Sequence, residues 1–120
     1  MKYDAEAAAR STQLMLLRLG ATPKLQGYHL CVEAVRHLVE TQQNRYSHPR
    51  ALYADLARIS GKNPSAIERN IKTMVCACWN TGNRELIGKL CYCTERPTSG
   101  TFIFALYAQA MIQQEKKVET

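Results

Sequence analysis

The chain predicts an all-α fold of about six helices in a single domain spanning residues 1–120, and three observations carry that prediction. Apolar residues recur at spacings of three and four along most of the chain, with no β-alternation of useful length and no internal repeat. Glycine, proline and asparagine sit between these segments, at Gly20, Pro49, Asn63-Pro64 and Gly82, where helices stop and start. Between about 50 and 80, two helices flank one tight glycine turn, which is the outline of a helix-turn-helix.

Each element has its own local reason. Residues 4–19 are rich in alanine and leucine and run into Gly20, which suits a helix stop. "ATPKLQG" is a connector. From Tyr28 to about Asn44, Cys31, Ala34, Val35, Leu38 and Val39 repeat at helical spacing and form an apolar stripe. "RYSHP" ends that helix, because Pro49 disfavours helical geometry at His48. A short helix over 50–59 turns Leu52, Leu56 and Ile59 inward. After "SGK", Asn63 is the expected N-cap and Pro64 occupies the first helical position, where its missing N–H costs nothing. That helix runs over about 63–80 and stops at "TGN". A short helix follows over about 83–91, and "RPTSG" leads into a last one over about 98–114. The stretch "FIFALYAQAM" in this last helix is apolar around more than one face, as a core element or a core element with a dimer seam would be.

The helix-turn-helix has a finer signature. Ala57 is small where two helices must approach closely. Gly61, four residues on, lies in the turn, where positive φ is cheap only for glycine. Ile67, six residues further, points back into the angle between the helices. At 100° per residue, Ile67, Ile71, Met74, Val75 and Cys78 gather on the inner side of the second helix. Ser65, Ala66, Arg69 and Thr73 fall opposite, with Glu68 and Lys72 on the flanks.

Charge is placed unevenly. The net charge is +6, and residues 45–72 hold Arg45, Arg50, Arg58, Lys62, Arg69 and Lys72 against only Asp55 and Glu68. Clustered cations of this kind attract phosphate polymers or anionic surfaces. Within the cluster, Ser65, Ala66, Glu68 and Arg69 occupy the positions from which a recognition helix reaches base edges. Arginine donates a forked pair to guanine O6 and N7, and glutamate accepts from cytosine N4. Arg50, Arg58, Lys62, Lys72, Thr73 and His48 are the candidate phosphate contacts, with help from Arg45 and Arg84. The competing role for Glu68 is an i, i+4 surface pair with Lys72.

Other chemistries find little support. His29, His37 and His48 show no metal-ligand spacing, and no glycine-rich phosphate loop or nucleophile elbow is present, so no enzyme, cofactor or metal is expected. Cys76 and Cys78 form an i, i+2 pair on a helix, pointing about 200° apart, which cannot grip one ion. The five cysteines (Cys31, Cys76, Cys78, Cys91, Cys93) read as reduced, mostly inert thiols. "MKYDAEAAAR" has acids and no apolar signal core, and no apolar run reaches membrane length, so a cytoplasmic location is expected.

These residues resemble the C-terminal effector domain of the stage-zero sporulation protein A family. The resemblance covers about residues 19–107, through "LGATPKLQGY", "LYADLA", "SAIER", "CWNTGN" and "RPTSGTFI". It implies a six-helix effector domain that binds double-stranded DNA at short promoter boxes, arranged in tandem, and regulates transcription. The family's base-reading glutamate and following arginine match Glu68 and Arg69. Its other base-reading arginine falls at Ala66, and the loop between "LCYCT" and "RPT" is shorter than the family's. Its receiver domain, with the phosphorylatable aspartate, is absent from these 120 residues, which are either an excised domain or a stand-alone relative. The expected partners are therefore promoter DNA, a second copy paired on DNA through Phe104, Tyr107 and Met111, and RNA polymerase. The alternative is a helical protein-interaction adaptor or a stand-alone regulator that no longer binds DNA specifically.

Overall fold

The computed structural model describes residues 3–41 and 49–119. Its elements are α1 (Ala5–Leu19), α2 (Gln26–Thr41), α3 (Pro49–Ser60), α4 (Pro64–Thr81), α5 (Arg84–Cys91) and α6 (Ser99–Glu119), with no strand among the described residues. The expected helices are all present. The differences are at ends: α2 starts at Gln26 rather than Tyr28, and α6 runs past Gln114 to Glu119. No helix among the described residues is long and apolar enough to cross a membrane.

The ends follow from local chemistry. Asp4 caps α1, its Oδ1 accepting from the Glu6 N–H at 2.9 Å and the Ala7 N–H at 3.2 Å. Gly20 ends α1 at φ 101°, donating its N–H to the carbonyls of Leu16 and Leu17. Asn83 caps α5 through the Leu86 N–H at 3.1 Å. The Thr98 hydroxyl accepts from the Thr101 N–H at 3.2 Å and starts α6.

A single core joins all six helices, and Leu16, Leu19, Leu38, Leu52, Leu56, Ile67, Ile71, Met74, Ile87, Phe102, Ile103 and Leu106 are its large buried members. The two-sided apolarity of α6 is core packing. Phe102, Ile103, Leu106 and Ala110 are buried, while Phe104, Tyr107 and Met111 are half-buried against the same core. α6 packs on α1, α2, α4 and α5, which explains why more than one of its faces is apolar.

One expected core residue is outside. Ile59 shares a helical stripe with Leu52 and Leu56, yet it is 61% exposed. The last turn of α3 overhangs the core: a Cβ added at nearby Gly61 would meet nothing within 4 Å. The helical phase of Ile59 matches Leu52 and Leu56, but the last turn of α3 runs past the core.

α4 is fixed at two places by glycine. At Gly27, where α2 crosses α4, an added Cβ would lie 2.6 Å from the Asn70 carbonyl oxygen and 2.8 Å from the Met74 Cβ. At Gly82, past the end of α4, it would lie 2.4 Å from the Leu19 carbonyl oxygen. The Asn83 N–H donates to that same Leu19 oxygen at 3.0 Å, so the ends of α1 and α4 are tied together.

The Gly27 crossing gives a signed expectation. Alanine in a helix gains roughly 0.5–1 kcal/mol over glycine from propensity alone. Overpacking against a backbone oxygen costs roughly 1–3 kcal/mol. Gly27→Ala is therefore expected to lower the unfolding free energy in urea titrations. A variant as stable as the parent would show that α2 and α4 are not in this close contact.

Candidate nucleic-acid interface

Asn63 and Pro64 set the start of α4. The Asn63 Oδ1 accepts from the Ser65 N–H at 2.8 Å, and Pro64 opens the helix. Gly61 takes φ 74° in the turn and donates its N–H to the Ala57 carbonyl at 2.9 Å. Ala57 packs half-buried on the core, and Ile67 is fully buried in the angle between α3 and α4. The alanine, glycine and isoleucine each occupy the place expected of them.

The inner face of α4 is Ile67, Ile71, Met74, Val75 and Cys78, all buried. Ser65, Glu68, Arg69, Lys72 and Thr73 are exposed, and Ala66 is half-buried at the edge. Because the core holds the whole inner face, the helix presents the other one to solvent.

Ion pairing on that outer face is sparse. Among the described residues no ion pair joins Glu68 to Lys72, and Arg69 has none either. Two clefts flank Glu68. One, of about 360 Å³, is lined by Arg50, Tyr53, Pro64, Ser65 and Glu68. The other, of about 250 Å³, is lined by Glu68, Lys72 and Val75 of α4 and by residues 96–99. Tyr53 lies under the first. Burial pushes its phenol up to about 12, the Glu68 charge adds to that, and a hydrogen bond to Ser99 opposes it.

The expected phosphate contacts divide. Lys62 is exposed in the turn, and Lys72 and Thr73 are exposed on α4. Arg50 stands at the start of α3 beside Ser65 and Glu68. Arg58 is engaged in an ion pair with Asp55, whose other oxygen lies 3.4 Å from the His37 Nε2. Arg84 donates from Nε to the Trp79 carbonyl at 3.0 Å and stacks 4.8 Å over the indole ring. It thus caps the far end of α4, roughly 16 Å along the axis from Glu68. Arg45 and His48 lie outside the described residues.

Sequence reasoning missed two participants. Tyr53 was one more residue of an amphipathic helix, and Arg96 belonged to a connector. Only the packing of α6 beside α3 brings them to the site. The thiols do not enter it: Cys31 and Cys78 are buried, and burial raises both above the ordinary thiol range, Cys78 to about 11. No group of three or more His, Cys, Asp or Glu side chains is arranged to hold a metal among the described residues.

The outer face of α4 thus presents an arginine, a glutamate and a serine to solvent near the start of the helix. A family model described as the sporulation initiation factor Spo0A C terminal matches residues 12–110. The chain belongs to that family. The Spo0A C-terminal family is a DNA-binding domain of sporulation transcription factors rather than an enzyme family. The match spans α2 to α5 whole, most of α1 and the core part of α6, so both helices of the helix-turn-helix lie inside it.

Proposed function

We propose that this chain binds double-stranded DNA sequence-specifically, with the outer face of α4 in the major groove, and so regulates transcription in the cytoplasm as a sporulation-type effector domain. The observation that carries this reading is the state of Glu68 and Arg69. Both are exposed, neither is in an ion pair among the described residues, and they stand side by side on the front of a helix whose back is wholly buried. An acid there weakens simple phosphate binding, and it gains a use if it accepts from cytosine N4. Arg69 donates to guanine O6 and N7, Ser65 contacts a neighbouring edge, and Ala66 offers only a methyl. Arg50, Lys62, Lys72 and Thr73 hold phosphates and set affinity without sequence preference.

Family boxes in tandem imply two copies side by side, about one helical turn apart. Phe104, Tyr107 and Met111 are half-buried on α6, so the surface they offer to a second copy is partial. RNA polymerase is the further partner through which a bound copy acts on transcription.

Three measurements test this. With about four to six phosphate contacts, the plot of log K against log salt has an expected slope of about −4 to −5, at roughly −0.9 per contact. A slope near zero on every duplex would leave the adaptor reading in its place. In site selection from a random duplex pool, Arg69→Ala is expected to flatten preference at one base pair by ~1–3 kcal/mol. Ala66→Arg is expected to create a guanine preference at the neighbouring pair by a similar amount. An unchanged profile for Ala66→Arg, with only a uniform loss for Arg69→Ala, means this face does not read bases. Finally, titration of single and doubled boxes is expected to show tighter binding per site on the doubled one, and equal values would count against pairing.

A further inference from the structure

The two clefts beside α4 meet at Glu68, which lines both. Together they form a furrow along one flank of the recognition helix. Its border is cationic: Arg50 stands at one end, Lys72 in the middle, and Arg96 across from Lys72. Glu68 is the one acid lining either cleft.

Arg96 comes from the segment between α5 and α6, and its position is built. Pro97, next to it, is buried, which anchors the backbone. Gly100, at the start of α6, lies so close to Pro49, at the start of α3, that a Cβ there would be 2.4 Å from the proline Cγ. The start of α6 is thereby held against the start of α3. The Arg96 side chain itself is exposed, and among the described residues it has no ion pair or hydrogen bond. An arginine on a fixed backbone with all its donors open is poised for an anion rather than for the fold.

The geometry of the groove says which anion. A helix with its side chains is about 10–12 Å across, and the major groove is about 12 Å wide. Once α4 fills the groove, whatever stands at its flank meets a sugar-phosphate strand and not base edges. We propose that Arg96 is a phosphate-contacting residue that extends the cationic border from Arg50 along one DNA strand. This rests on the DNA-binding reading above. Arg96 also lowers the repulsion that Glu68 alone would exert on a strand in the furrow.

The test compares the full chain with Arg96→Ala and Arg10→Ala, on a preferred duplex and on an unrelated one. Arg10 is an equal charge elsewhere, in a cleft between α1 and Gln113 and Gln114 of α6. Arg96→Ala is expected to weaken both duplexes equally, by roughly three- to tenfold. It should also reduce the steepness of the salt slope by about 0.9 and leave the site-selection profile unchanged. Arg10→Ala should keep the parental slope. The proposal fails if Arg96→Ala binds like the parent, or if Arg10→Ala loses as much, which would make the effect one of net charge. It also fails if Arg96→Ala flattens preference at one base pair, since Arg96 would then read a base. A parent chain with no salt-dependent affinity for any duplex fails differently, because that result removes the DNA-binding reading itself.

Discussion

The arrangement depends most on the crossing of α2 over α4 at Gly27. The outer face of α4 keeps one direction only if the helix cannot turn about its axis, and a helix held by side chains alone tolerates some rotation. Here the backbone of α2 comes so near α4 that a single methyl would lie 2.6 Å from the Asn70 carbonyl oxygen. Contact at backbone distance leaves little slack, since interiors are packed like crystals and adjust in discrete steps. The buried stripe from Ile67 to Cys78 then adds its transfer free energy to an orientation already set.

The ends of the chain reinforce that crossing from a distance. The Tyr3 hydroxyl donates to the Glu115 Oε1 at 2.7 Å. The Asp4 N–H donates to the Gln114 Oε1, and the Gln114 Nε2 donates back to the Asp4 carbonyl, each at 2.9 Å. These bonds are exposed, so water competes for each of them. Their effect is to close α1 on α6, while Leu19 and Asn83 close α1 on the end of α4. The first helix is thus a strap around the core, tied to the far end of α4 and away from the exposed residues at its start.

Electrostatics divides the basic cluster into two kinds of residue. Arg58 and Arg84 have local partners, an aspartate and a tryptophan, and they stabilise α3 and the end of α4. Among the described residues Arg69, Lys72 and Arg96 have no ion-pair partner, and Lys72 and Arg96 line the same cleft as Glu68, the acid of α4. Cations left without partners around a deliberate carboxylate leave donors and an acceptor available together, as base reading with phosphate anchoring requires.

The sequence by itself determined the helices, the turn and the two faces of α4. These follow from local rules: Asn63 capping, Pro64 in the first turn, Gly61 at positive φ, and a 3.6-residue period that separates Ile67 and Ile71 from Arg69 and Thr73. Such features depend on neighbours within about one turn, so they can be read in order along the chain. Tertiary structure alone decided what lies beside each face. It left Ile59 exposed because the last turn of α3 runs past the core, and it used Arg58 and Arg84 locally. It brought Arg96 and Tyr53 to Glu68 because α6 begins against α3. Periodicity tells a side chain which way to point. Only the packing of distant segments decides what it meets there.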